Sequence, residues 1–214
     1  MIAALVPAKA LDQAKGRLAA LLDEDERRAL ALAMLEDVVR ALQSVAGIDS
    51  VNVISPDAEV LRRAEELGAT AILEPATVRG INQALAHGMD AIEPSPDALL
   101  VVLADVPAVV PSDVASMLEG APERGVVIAP SSARGTSALL LRPPDVIPFR
   151  FGELSFQMHK REAAARRIEA RVLHLEALEH DIDEPDDLRW LLERPAETST
   201  HRLLAEIGMA ARTP

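Results

Sequence analysis

The sequence predicts one α/β domain, built on a mostly parallel central sheet with helices on both faces. Three observations carry that expectation. Over residues 1–130, short and wholly apolar runs alternate with longer segments of helical periodicity. That is the pattern of strands buried on both sides and joined by helical crossovers. The chain has 214 residues and is 49% hydrophobic, enough for one substantial core. With only three Phe and one Trp, that core is aliphatic.

IAALV at 2–6 is an apolar run stopped by Pro7 and reads as the first strand. The loop AKALDQAKGRL follows and carries Lys9, Lys15 and Arg17. Leu30, Met34, Val38, Ala41 and Leu42 recur at helical spacing, which predicts a helix over 24–42. SVNVIS at 50–55 is a second strand. Pro56-Asp57 opens the helix AEVLRRAEEL, Gly68 closes it, and ATAIL at 69–73 is a third strand. An amphipathic helix spans 80–92. The strand at 98–103 is wholly apolar and therefore central. A helix from Pro111 to Leu118 and the strand GVVIAPS come next.

The pattern then loosens. A strand at 137–141 leads into an irregular stretch rich in Pro and Phe, then a helix from about 155 to 168. RVLHLEAL is read as a further strand, Pro185 begins the helix DDLRWLL, and a last short helix covers 198–208. The domain is expected to span residues 1–194, with 195–214 as a C-terminal tail holding that helix.

Composition excludes several function classes. A net charge of -12 and few aromatics argue against DNA or RNA as the main partner. A single nucleotide needs only a local basic patch, so it stays in play. No cysteine is present, which removes disulfides, thiolate catalysis and Cys-ligated zinc or iron–sulfur sites. The N-terminal apolar run is too short for a signal peptide or a membrane span, so a cytoplasmic protein without membrane contact is expected.

In an open α/β sheet, ligands bind outside the carboxyl ends of the strands. Asp105 leaves the central strand directly and is a candidate for chemistry; a turn-forming Asp bonded to its own backbone is the alternative. AKALDQAKGRL puts three cations within nine residues after the first strand, a candidate phosphate loop. It matches neither the Walker A pattern nor the dinucleotide fingerprint, and a solvated basic turn fits equally well. Gly135-Thr136-Ser137 offers hydroxyls and a flexible glycine before a strand. Phe149-Arg150-Phe151-Gly152, with Ser155 opening a helix and His159 one turn on, forms a second candidate anion site or an aromatic-anchored lid.

HDIDEPDDL holds five carboxylates between Asp181 and Leu188. If this stretch is extended, Asp181 and Asp183 point the same way, as two metal ligands would. Helix capping instead accounts for Asp183, Glu184, Asp186 and Asp187, but not for Asp181.

Six of these stretches, in order, resemble one family. They are VPAKALDQAKGRLA, DERRALALAMLEDV, LLVVLADVPAVVPSDV, GTSALLLRPP, FRFGELSFQMH and HDIDEPDDL. The chain is similar to the guanylyltransferases that make the phosphodiester-linked side-chain precursor of the deazaflavin coenzyme F-420. That family shares the nucleotidyltransferase fold of sugar and polyol nucleotidyltransferases, a GT-A/Rossmann-like form of the α/β class. The resemblance implies transfer of GMP from GTP to a phosphorylated three-carbon acid, with release of pyrophosphate. The acid is phosphoenolpyruvate, 2-phospho-L-lactate or 3-phospho-D-glycerate, and phosphoenolpyruvate is the first expectation here.

The resemblance also assigns roles. Asp105, Asp181 and Asp183 are the metal ligands, for Mg2+. Lys9, Lys15 and Arg17 lie along the triphosphate, and Asp105, Lys15 and Arg17 carry the catalysis. Ser137, Gly152 and Ser155 hold the phospho-acid. Ser137 departs from the Asn or Thr of many relatives, which leaves the identity of the acid open. The partners implied are GTP and the acid, with coupling to the downstream transferase that takes the guanosine adduct. A homo-oligomer stays open, because the Leu30/Met34/Val38 face suits either the sheet or a second subunit. A cytidylyltransferase and a non-catalytic nucleotide-binding protein are the rival readings. Asp187→Asn is expected to do little beyond weakening a helix start, and a Mg2+ titration of its turnover checks this.

Overall fold

The computed structural model describes residues 1–194 and 196–212. Seven strands among them form one sheet in the order β3-β2-β1-β4-β6-β5-β7. They are β1 (Ile2–Pro7), β2 (Ser50–Ser55), β3 (Thr70–Leu73), β4 (Ala98–Val102), β5 (Gly125–Pro130), β6 (Thr136–Arg142) and β7 (Glu169–Val172). Six run one way. β6 alone is antiparallel, to β4 on one side and β5 on the other. The turn at 131–135 is too short for a parallel crossover, so β5 and β6 close as a hairpin. Val102 pairs with Ala138, so β6 begins beside the end of β4. The start of β6 thus shares the carboxyl edge with the ends of its neighbours.

Two core layers cover the sheet. On one face Ala4, Val6, Leu100 and Val102 pack against α1 (Glu24–Gln43), α2 (Ala58–Glu66) and α4 (Pro111–Glu119). On the other, Ala3, Leu5, Leu99 and Val101 pack against α3 (Ile81–Asp90) and α5 (Ser155–Arg166). Neighbouring residues of one strand alternate between the layers, the period-2 rule that makes each strand apolar throughout. Each fully buried aliphatic side chain contributes about 1.5 to 3 kcal/mol. α3 lies close to the sheet: a Cβ on Gly88 would stand 3.0 Å from the Leu5 side chain.

RVLHLEAL is not one strand. β7 ends at Val172, its last ladder partner being Ile128, and a single helical turn, α6 (Glu176–Glu179), follows. Leu173 N–H still donates to Ile128 O, but the turn carries Leu178 into the first layer, fully buried. Alternation could not distinguish that turn from a longer strand.

A third cluster joins Leu18, Leu22, Leu30, Met34, Ile182, Leu188, Leu191, Leu204 and Met209. Here α1 meets α7 (Pro185–Leu192) and α8 (Ser199–Glu206). Leu30 and Met34 are therefore covered within the chain, while Val38 faces the sheet. The Asp37 carboxylate accepts from Ser199 N–H at 2.7 Å and Thr200 N–H at 2.9 Å, which fastens the start of α8 to α1. Of the stretch expected as a tail, Pro195, Thr213 and Pro214 lie outside the described residues. Among the described residues no helix is long and apolar enough to cross a membrane.

The loop from β6 to α5 is tied down on three sides. Phe149 and Phe151 are buried in the second layer. Asn82 of α3 donates to Phe151 O at 2.9 Å and accepts from Phe151 N–H at 2.7 Å. Arg150 N–H donates to His159 Nε2 at 3.0 Å, so the ring proton sits on Nδ1 and is donated to Thr136 Oγ1 at 3.0 Å. His159 is a buried clamp, not a pocket residue. Burial, helped by the Arg150 charge, pushes its pKa down to about 4.

The neutral ring is what the fold stabilises. That stability is complete above the unfolded value near 6.5 and is lost as pH falls through about 4. The loss amounts to about 3 kcal/mol, at roughly 1.4 kcal/mol for each unit of pKa. Urea unfolding at pH 7, 5 and 4 is expected to show this decline in the wild type and a much shallower one in His159→Gln.

Candidate active site

The segment after β1 makes two short 3-10 turns, Leu11–Gln13 and Gly16–Leu18, with Lys15 between them in the left-handed region at φ 51. Leu11 is buried in the first layer and Leu18 in the third cluster. Leu11 N–H also donates to Asp57 Oδ2 at 2.9 Å. With both ends anchored, the loop turns Lys15 inward. Its Nζ donates to Asp183 Oδ1 at 2.8 Å and to Asp105 Oδ2 at 3.1 Å, with only 8% of the side chain exposed. Burial works against its charge, but the two carboxylates outweigh it and raise the pKa.

The acidic stretch reaches the same place by a different route. Ile182 N–H donates to Asp105 O at 2.9 Å, and the Ile182 side chain is fully buried in the third cluster. The residues on either side then point the opposite way, towards Asp105. Ligand oxygens of Asp105, Asp181 and Asp183 all lie within 4.8 Å of one another. Burial, with the charges of Asp105 and Asp183 behind it, raises the pKa of Asp181. Burial also pushes Asp183 upward, but the adjacent Lys15 prevails and holds it below the usual carboxylate range. Asp105 Oδ1 is buried without a hydrogen-bond partner. Three hard oxygen donors, half-buried and one of them orphaned, fit a divalent cation.

The remaining acids divide. Glu184, not Asp183, is the N-cap residue of α7. Asp187 Oδ2 accepts from Glu184 N–H at 2.7 Å and from Asp183 N–H at 2.9 Å. Asp187 therefore serves the helix start and also fixes the backbone of Asp183. Arg17 pairs with Glu184 at 3.0 Å and stays 72% exposed at the rim. Lys9 is exposed, and its charge helps to lower the pKa of Asp183.

Ser137, Gly152 and Ser155 lie around the start of β6. Ser137 is fully buried, its Oγ has no partner, and its carbonyl accepts from Leu103 N–H at 2.9 Å, two residues before Asp105. A Cβ on Gly135 would stand 3.8 Å from Ser155 Oγ. Ser132 N–H donates to Glu179 O at 2.8 Å, which ties this hairpin turn to the end of α6, two residues before Asp181. Gly152 has φ 122 with open space where a Cβ would be, a backbone that L side chains rarely adopt.

Sequence reasoning missed Asn82 and the Lys15 ion pairs, and read Asp187 only as part of a helix start. Asn82 and Phe151 are 69 residues apart, Lys15 and Asp183 are 168. Separations of that size leave no periodicity or spacing to read.

The family model "Guanylyl transferase CofC like" matches residues 2–213. The phosphoenolpyruvate guanylyltransferase of Sphaerobacter thermophilus is 43% identical over 190 residues, 88% of this chain and 91% of the relative. That of Rubrobacter xylanophilus is 45% identical over 191 residues, 88% and 92% of the two chains. In fold, the chain is similar to the crystal structure of a putative nucleotide-diphospho-sugar transferase from Desulfovibrio desulfuricans. The TM-score is 0.79 at 18% identity, over 99% of this chain and 96% of that one. An α/β sheet carrying three aspartates and a lysine at its carboxyl edge, and a sequence matched almost end to end, place the chain in the CofC-like guanylyl transferase family.

Proposed function

We propose that this chain is a phosphoenolpyruvate guanylyltransferase of coenzyme F-420 biosynthesis. It joins GMP from GTP to the phosphate of phosphoenolpyruvate and releases pyrophosphate. The observation that carries this reading is the convergence of Asp105, Asp181, Asp183 and Lys15 at the carboxyl edge of the sheet. The two relatives above, both phosphoenolpyruvate guanylyltransferases, support that choice of acid.

A phosphate oxygen of the acid attacks the α-phosphorus of GTP. The new P–O bond forms as the bond to the bridging oxygen of the β-phosphate breaks, and pyrophosphate leaves with the electron pair. The substrate phosphate is already anionic near neutral pH, so no general base is needed. The difficulty is to bring two anions together, which makes neutralisation and alignment the main task. Asp105, Asp181 and Asp183 would hold Mg2+, which supplies positive charge at the α-phosphate and the incoming phosphate when bound. Lys15 and Arg17, with Lys9 further out, orient the β- and γ-phosphates and stabilise departing pyrophosphate. Ser137 Oγ donates to the acid, and Gly152 lets the backbone turn towards it while Ser155 opens α5.

Asp181→Asn is expected to lower kcat by about 100-fold or more while the circular dichroism spectrum stays unchanged. Near-normal turnover across a Mg2+ titration would remove Asp181 from the metal set. Asp187→Ala is expected to cost about 1 to 2 kcal/mol of stability, since two backbone donors lose one acceptor. It should also weaken metal binding about tenfold, the usual effect of losing a group that supports a ligand. Because Asp187 also accepts from Asp183 N–H, Asp187→Asn is expected to do more than the sequence alone implies and, keeping an acceptor oxygen, to sit between Ala and wild type. Pyrophosphate release with Mg2+ and GTP is expected to be fastest with phosphoenolpyruvate. Parallel runs with 2-phospho-L-lactate, 3-phospho-D-glycerate and CTP test the acid and the base, and nucleotide binding without release would refute catalysis.

A further inference from the structure

We propose that Lys15 is a resident cation that holds Asp105 and Asp183 in place before metal arrives. It is drawn off them by the triphosphate, so the divalent ion binds well only together with the nucleotide. This rests on the reading of the site as a metal-dependent nucleotide site, and it concerns the order in which that site fills.

Three observations carry it. First, Lys15 Nζ lies within 3.1 Å of one oxygen on each of two of the three carboxylates able to share an ion. A divalent cation arriving alone must either displace those charge-assisted bonds or bind beside a fixed positive charge, and both weaken it. Second, Lys15 is buried to 8% side-chain exposure, so leaving the aspartates costs it two ion pairs with little water to replace them. It leaves readily only when another anion receives it. A nucleotide's phosphates supply that anion at the same moment as they supply the metal's remaining ligands. Third, among the described residues no other cation is placed to do this: Arg17 is 72% exposed and paired with Glu184, and Lys9 is exposed. Lys15 also sits on a flexible four-carbon stem at the left-handed residue between two short turns, so its ammonium can shift while Leu11 and Leu18 stay anchored.

The test measures Mn2+ binding by calorimetry in wild type, Lys15→Met and Lys15→Gln, with and without the non-transferable analogue α,β-methylene-GTP. Free Mn2+ is expected to bind at least about tenfold tighter to both variants than to wild type. In wild type the analogue should tighten Mn2+ strongly, and in the variants this enhancement should shrink. Equal or weaker binding of free Mn2+ by the variants would overturn the proposal while leaving the nucleotide site intact. Failure of wild type to bind Mn2+ even with the analogue would instead overturn the site reading itself. Should both variants fail to fold, the 15N resonance of the Lys15 ammonium in wild type decides. It is expected to hold its position with Mg2+ alone and to move with Mg2+ and the analogue together; a full shift with Mg2+ alone, or none with both, refutes the idea.

Discussion

Three carboxylates whose oxygens lie within 4.8 Å of one another repel, and the site depends on how that repulsion is held. At an effective dielectric constant near 20, two unit charges at such a distance cost about 3 to 4 kcal/mol per pair. One buried lysine faces two of them, while burial, with the charge of Asp105 behind it, raises the pKa of Asp181. The scaffold supplies the rest. Ile182 is buried on one side of the acidic stretch, and its N–H donates to Asp105 O, which turns the two flanking aspartates towards Asp105.

The same cluster that buries Ile182 also buries Leu18 from the basic loop and Leu204 from α8. The acidic stretch, the lysine loop and the C-terminal helix thus rest on one patch of α1. Asp37 reinforces the arrangement by accepting from the first turn of α8. Packing at the far end of the chain is in this way connected to the position of Lys15, although α8 contributes nothing to the site directly.

The edge around the start of β6 is assembled differently. β6 runs against its neighbours, which delivers Ser137 to the carboxyl edge beside β4. The loop beyond it is immobilised by a neutral histidine and by an asparagine from α3. These are polar groups with both hydrogen-bonding sides satisfied, so they hold the backbone without adding a charge to it.

Much of this was legible in the residues. Wholly apolar runs separated by helical periodicity define the α/β layers, because a strand covered on both faces has no polar side to show. Asp105 was marked by its place at the end of the most apolar strand, and Asp181 and Asp183 by alternation about Ile182. Four things were decided only in three dimensions. They are the partners of Lys15, the second duty of Asp187, the clamp from Asn82, and the helical turn that replaced half of an expected strand at 171–178. For the Lys15 pairs and the Asn82 clamp the physical reason is the same. Periodicity reports which way a side chain faces from its own segment, whereas a charge pair or a backbone clamp depends on what the tertiary fold brings opposite it.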